Sequence, residues 1–271
     1  ENVIGKAFIL PSTFEGSDQA MKQHYFDGME LVGRFGKADF FITFTSNPYW
    51  PELQRTLNQG QNYLSRPDMC SRVYNLKFQE FWKDINEEHK LGVVEANIRV
   101  KEYQKRGLPH DHTLLWMNER DKPTTPEQID EIICAEIPDP VEDPELYELV
   151  KTKMIHGPCL PNSSCMQQFG DRCSKGFPKQ FSDTTVIRVN NYPLYRRRNN
   201  GRTITIRGRV LDNRYVIPYN PKMLKKFKCH INVEICGFLS TMKYIFNYIC
   251  KGNDRVNVQT HGLNNQMPFA N

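Results

Sequence analysis

Strands and helices in mixed order predict an α+β fold, a central antiparallel sheet flanked by helices with an inserted Cys-containing subdomain. Four stretches carry β-like patterning, at 40–45, 94–104, 113–117 and 230–235, and the regular strand–helix alternation of a parallel sheet is missing. A cysteine-bearing stretch of different texture separates the third strand from the fourth. With 271 residues, 39% of them hydrophobic, the chain can bury one large core that carries an insertion.

After an extended start at 3–10, residues 11–17 form a turn, and 18–34 place Ala20, Met21, Tyr25, Met29 and Val32 at the spacing of an amphipathic helix. Phe40-Phe41-Ile42-Thr43-Phe44-Thr45 is β-branched and aromatic and stops at Ser46-Asn47-Pro48, as a buried strand ending in a polar loop does. A helix over 67–89 would turn Val73, Leu76, Phe78, Phe81 and Ile85 inward, and Gly92 would close it. The strands 94–104 and 113–117 then form a hairpin. Thr125-Pro126-Glu127 and Asp143-Pro144-Glu145 open two short helices in an acidic segment. A basic hairpin over 195–210 follows, with Asn199-Asn200-Gly201 as its turn. Strand 230–235 hands over at Gly237 to a last helix. The expected units are 1–35, a core in two parts (36–120 and 182–254), the insertion 121–181, and a tail over 255–271.

The chemistry gathers at a few points. Alternate strand residues share a face, so His110 and His112 project together and offer two imidazoles to a divalent cation; the plainer reading is a pair of ordinary strand histidines. Tyr244, Tyr248 and Lys251, at i, i+4 and i+7, lie along one helical stripe. A phenol attacks only when its pKa falls from about 10 or when it is aligned on an activated electrophile such as a metal-bound phosphate. An aromatic core stripe is the alternative, although it leaves Lys251 unexplained. Three thiols, Cys159, Cys165 and Cys173, with His156 upstream, could complete a structural Zn²⁺ site in a loop poor in apolar residues. Free thiols are the competing reading, and the remaining cysteines look like small apolar core residues.

Lys and Arg exceed Asp and Glu by five, and the excess is concentrated in Tyr195, Arg196, Arg197, Arg198 and Arg202, then Arg207, Arg209 and Arg214. Such a stripe suits nucleic-acid backbone with stacking, though it equally fits a solvated hairpin tip. Asn47, Tyr49 and Trp50 stand where a loop could grip a base, with core packing the other role for Trp50. Eight cysteines at irregular spacings, no secretory signal before the first strand and no membrane-length apolar run predict a soluble protein of a reducing compartment, without a membrane partner.

Three motifs in order resemble the His-hydrophobe-His (HUH) single-strand endonucleases, and among them the Helitron rolling-circle transposases. They are Phe41-Ile42-Thr43-Phe44-Thr45-Ser46-Asn47-Pro48, Arg106-Gly107-Leu108-Pro109-His110-Asp111-His112 and Tyr244-Ile245-Phe246-Asn247-Tyr248-Ile249-Cys250-Lys251-Gly252. Pro218-Tyr219-Asn220-Pro221 and His230-Ile231-Asn232-Val233-Glu234 are similar to Helitron sequence as well, so the likeness runs from about Phe35 to Asp254. It departs at Asp111, where the family has a hydrophobe. That side chain should face away from the metal, on a face then expected to be wet, with Arg99 or Lys101 to neutralise it.

The resemblance implies a Rep-like fold, with the tyrosine helix laid across the metal-bearing face. It also implies a third metal ligand near the histidines. A five-residue loop at 105–109 would set Gln104 opposite His110 and Glu102 opposite His112; position favours Gln104 and charge favours Glu102. The implied activity is a Mg²⁺- or Mn²⁺-dependent nickase and strand transferase on single-stranded DNA at transposon end and target. Its intermediate would be a 5′-phosphotyrosine formed by Tyr244 or Tyr248; Lys251 could assist, or serve as a helix C-terminal cation facing the dipole. A helicase domain elsewhere in the protein and nuclear residence are implied too. The alternatives are a viral or plasmid rolling-circle replication initiator and a non-catalytic, zinc-stabilised nucleic-acid-binding module.

Overall fold

The computed structural model describes residues 11, 13, 14, 17–103, 107–166, 172–188 and 192–237. Four strands form an antiparallel sheet in the order β2-β3-β1-β6: β1 (Phe40–Thr45), β2 (Val94–Tyr103), β3 (Pro109–Met117) and β6 (Ile231–Ile235). The expected α+β architecture and its four sheet strands are all present. The strand carrying the histidines is longer than its apolar run suggested. It starts at Pro109, so His110 and His112 lie within the strand rather than in the loop before it.

Every residue of β3 is buried, because the strand is central and both of its faces are covered. On one face, Phe40, Ile42, Phe44, Leu115, Ile231 and Val233 meet helix α3 (Pro67–Asn86) through Val73, Tyr74, Phe78, Phe81 and Ile85. Phe44 is the hub of this core, with ring centroids 4.9 Å from Phe81, 5.6 Å from Phe78 and Phe227, and 5.7 Å from Tyr74. On the other face, helix α1 (Asp18–Phe35) contributes Val32 beside Ala38, Leu114 and Trp116, and the Trp116 indole donates to the Gly36 carbonyl. Thus α1 packs at the Leu114–Trp116 end of β3, two residues along the strand from His112.

Two helical expectations change. Leu76 is 66% exposed, because the core-facing stripe runs through Val73, Tyr74, Phe78, Phe81 and Ile85 and leaves position 76 on the outer flank. The helix also ends at Asn86, and Gly92 instead serves the turn into β2: at φ +103°, an added Cβ would stand 2.6 Å from the Asp121 Cβ.

A second core joins helix α5 (Pro144–Lys153) to the hairpin β4 (Thr203–Ile206) and β5 (Arg209–Asp212), through Leu146, Val150, Met154, Ile204, Val216 and Tyr219. The short helices open as expected, α4 (Pro126–Ile132) from a Thr125 capping box and α5 from an Asp143 cap. The hairpin turn is not at Asn199-Asn200-Gly201. Arg207 (φ 49°) and Gly208 (φ 72°) both occupy the left-handed region that a two-residue turn of matching twist requires. Asn200 instead accepts from the Arg202 amide and from the Asn213 side chain.

Part of the basic stripe is paired or buried within the fold. Arg197 is 2% exposed, and its Nη1 lies 3.2, 2.8 and 2.6 Å from the carbonyls of Ala135, Asn213 and Val216. Burial lowers its pKa to about 10, which leaves it charged at neutral pH. Arg196 pairs with Asp130 at 3.1 Å, Arg198 with Glu136 at 2.5 Å and Arg202 with Asp139 at 2.9 Å. Tyr195 is buried, and its hydroxyl accepts from the Ile235 amide at 2.8 Å. Arg196, Arg198 and Arg202 thus pair with the acidic segment while staying partly exposed, and Tyr195 and Arg197 are buried. Trp50 is likewise core, 2% exposed, with its indole donating to the Phe227 carbonyl at 2.7 Å.

No described helix is long and apolar enough to cross a membrane. Replacing Arg197 with Met would leave three buried carbonyls without their donor. The unfolding free energy from urea titration is expected to fall by about 3 kcal/mol, and an unchanged midpoint would contradict the structural role.

Candidate metal centre

The register of three strands builds the site. Thr45 on β1 pairs with His110 and Thr43 with His112; on β2, Glu102 pairs with His110 and Val100 with His112. The anticipated pairing of Gln104 with His110 and Glu102 with His112 does not form. Tyr103 pairs with Pro109 instead. Side chains repeat every second residue along a strand, so Glu102 keeps its face while moving opposite His110. Gln104 lies outside the described residues.

Ligating atoms of Glu102, His110 and His112 all lie within 4.8 Å of one another. The imidazole centroids are 4.4 Å apart with planes at 83°, and His112 Nε2 is 3.1 Å from Glu102 Oε1. His110 Nδ1 is 2.6 Å from Thr45 Oγ1. Thr45 thereby holds the ring in place, and with the proton on Nδ1 the Nε2 lone pair faces a cation. Phe41 stacks on the His112 ring at 5.9 Å.

Burial lowers the His110 pKa to about 3, helped by neighbouring His112 and His230, and lowers that of His112 to about 4, with the Lys175 charge contributing. Both rings are therefore neutral at pH 7, the state that binds metal. The histidine side chains are covered, but Glu102 on the edge strand is 40% exposed, so the centre opens toward solvent on the β2 side. Two neutral imidazoles and one carboxylate form an N/O donor set that fits a divalent cation such as Mn²⁺.

Asp111 faces the opposite way, as expected, but its environment is not wet. It is fully buried, accepts a 2.5 Å hydrogen bond from the Tyr74 hydroxyl, and has Arg99 Nε at 3.6 Å. Arg99 itself lies over the Phe78 and Trp82 rings at 4.8 and 5.4 Å, and Lys101 is the cross-strand partner of Asp111. A carboxylate thus replaces a hydrophobe because a phenol and a guanidinium reach it inside the core.

A second centre forms where the sequence predicted it. Ligating atoms of His156, Cys159, Cys165 and Cys173 lie within 4.8 Å of one another, with His156 Nε2 3.2 Å from Cys173 Sγ and the Cys165 and Cys159 sulfurs 3.8 Å apart. Backbone bonds from Ser174 to Cys165 and from Gly176 to Cys173 hold the loop, and His156 stacks on Phe177 at 4.2 Å. Burial and the adjacent thiols push Cys159 up to about 12. Burial also opposes the Cys173 thiolate, yet the Phe177 and Lys175 amides outweigh it and lower that pKa. The cluster can hold a metal ion.

Tyr244, Tyr248 and Lys251 lie outside the described residues. Asn47 is buried and Tyr49 exposed, both on the loop that follows β1. Sequence reasoning missed Thr45, Phe41 and Lys153, which reach these places from other elements; only sheet register and loop packing identify them.

Residues 1–115, which include His110 and His112, match the family model described as the Helitron helicase-like domain at the N-terminus. No curated protein matches the chain.

The register yields a direct comparison. Glu102→Ala should weaken Mn²⁺ binding in calorimetry by at least about tenfold, whereas Gln104→Ala should leave it near wild type; the reverse order would reject Glu102 as the third ligand.

Proposed function

Because the first 115 residues carry a Helitron transposase-related domain, we propose that this protein is a metal-dependent, single-stranded DNA nickase and strand transferase of the HUH type. The observation that carries the reading is the Glu102–His110–His112 donor set on one sheet face, within a segment of that family.

In this reading Glu102, His110 and His112 hold Mg²⁺ or Mn²⁺, and the bound ion would stabilise charge on the nonbridging oxygens of the scissile phosphate. Thr45 holds the His110 ring in position, and Asp111, turned into the core, takes no part in ligation. Either Tyr244 or Tyr248 supplies the nucleophile, an assignment that rests on the two-tyrosine motif. The phenolic oxygen attacks phosphorus in line, the bond from phosphorus to the 3′ oxygen breaks, and the phenolic proton is transferred so that the leaving strand ends in a 3′-hydroxyl. The other strand remains as a 5′-phosphotyrosine. One phosphodiester is exchanged for another, so rejoining needs no ATP, and two tyrosines allow two such links in succession. Lys251 would contact a nonbridging oxygen or lower a phenol pKa by its charge.

The thiolate-rich second centre suits Zn²⁺ as a structural ion. Single-stranded DNA from transposon end and target, a helicase domain elsewhere in the protein, and nuclear residence complete the proposal.

Incubation with a single-stranded oligonucleotide and Mn²⁺ is expected to give a protein–DNA adduct that survives SDS, and the double variant Tyr244→Phe, Tyr248→Phe should form none. Wild-type protein that binds DNA without an adduct would instead support a non-catalytic binding module. For the second centre, purified protein should contain zinc that cobalt can replace with an intense thiolate-to-metal absorption band. Cys173→Ser should remove zinc and band together, whereas zinc-free wild-type protein would leave the cysteines as free thiols.

A further inference from the structure

Tyr49 is an aromatic residue held open on the loop that follows β1, the strand whose Thr45 contacts His110. It is 71% exposed, while its neighbour Trp50 is 2% exposed. Its position is nonetheless fixed. The Tyr49 amide donates to Asn47 Oδ1 at 3.0 Å, and the buried Asn47 side chain donates in turn to the Lys228 carbonyl at 2.7 Å. The same Oδ1 accepts from Lys153 Nζ at 3.4 Å, and that ammonium stands 5.6 Å from the Tyr49 ring centroid. One buried amide therefore sets an exposed aromatic ring and a cation side by side.

This pair is tied to the His110 neighbourhood through backbone. His230 Nδ1 lies 2.8 Å from the Lys153 carbonyl, the His230 carbonyl accepts from the Thr45 amide, and Thr45 Oγ1 contacts His110. Among the described residues Lys153 has no carboxylate partner, in contrast to Arg196, Arg198, Arg202, Lys225 and Lys228, each of which has one. An exposed ring on a rigid loop offers base stacking with little ordering entropy to overcome, and an adjacent ammonium can take the neighbouring phosphate.

We propose that Tyr49 and Lys153 form a nucleotide subsite beside the metal centre, where one base of single-stranded DNA stacks on Tyr49 and the adjoining phosphate meets Lys153. This rests on the reading that the Glu102–His110–His112 centre receives single-stranded DNA.

Anisotropy of a fluorescent oligodeoxynucleotide, titrated with the full chain in EDTA at several salt concentrations, tests it. Tyr49→Ala should weaken binding about tenfold, and Tyr49→Trp should restore it. On a strand of abasic deoxyribose phosphates, the Tyr49→Ala loss should vanish. Lys153→Gln should reduce the slope of log affinity against log salt by about 0.7, the share of one phosphate contact on a single strand. Unchanged affinity for Tyr49→Ala, or a loss that persists on the abasic strand, overturns the subsite. The Mn²⁺ adduct assay separates the two claims. An adduct from wild type together with full binding by Tyr49→Ala removes the subsite and keeps the nuclease; base-dependent loss in Tyr49→Ala without any wild-type adduct does the opposite.

Discussion

The period-two alternation of one buried strand underlies the whole site. β3 sends His110 and His112 to one face and Asp111 to the other, and all three are buried because neighbours cover both sides. A buried carboxylate would be very unfavourable alone. Tyr74, reaching from α3, and Arg99, reaching from β2, make it tolerable, and Arg99 in turn rests on Phe78 and Trp82. The aromatic core thereby fixes the strand that carries the imidazoles, and Tyr74 also donates to the Phe44 carbonyl on β1. Packing on one face limits the freedom of the ligating residues on the other.

The same economy of charge governs the rest of the chain. A segment rich in carboxylates precedes one rich in guanidinium groups, and the two neutralise each other in pairs around a single buried arginine, Arg197, whose nitrogen binds backbone carbonyls. Partly exposed pairs of this sort contribute little stability each, whereas the buried guanidinium organises three chain segments at once. Arginines paired with carboxylates in this way present a weaker positive field than their count suggests. Lys153 and Tyr49 differ, being held side by side through Asn47 without a carboxylate partner for Lys153 among the described residues.

The two donor clusters differ in a way that matches different work. Two neutral imidazoles and a carboxylate that is partly open to solvent form an N/O donor set that fits a hard or borderline divalent cation. Three thiols and an imidazole in a loop fixed by backbone hydrogen bonds form a closed site suited to holding structure. Residues 156–173 supply all four of the second set, so local spacing was enough to find it.

Much was legible before any coordinates. Apolar periodicity located α1, β1, α3 and the central hairpin, capping residues located α4 and α5, and the spacing of two histidines placed them on one face. What sequence could not supply was partnership. Glu102 and Gln104 have equal parity, and only the observed register set Glu102 against His110. The arginine run looked like a binding stripe because charge counts carry no information about which carboxylates lie opposite in space. Leu76 and Trp50 needed the packed helix and loop to show which one was exposed. The sequence by itself determined the elements and the donor types, because those follow from short-range periodicity and side-chain chemistry. Only the tertiary structure decided register, charge pairing and exposure, because these depend on contacts between segments far apart in the chain.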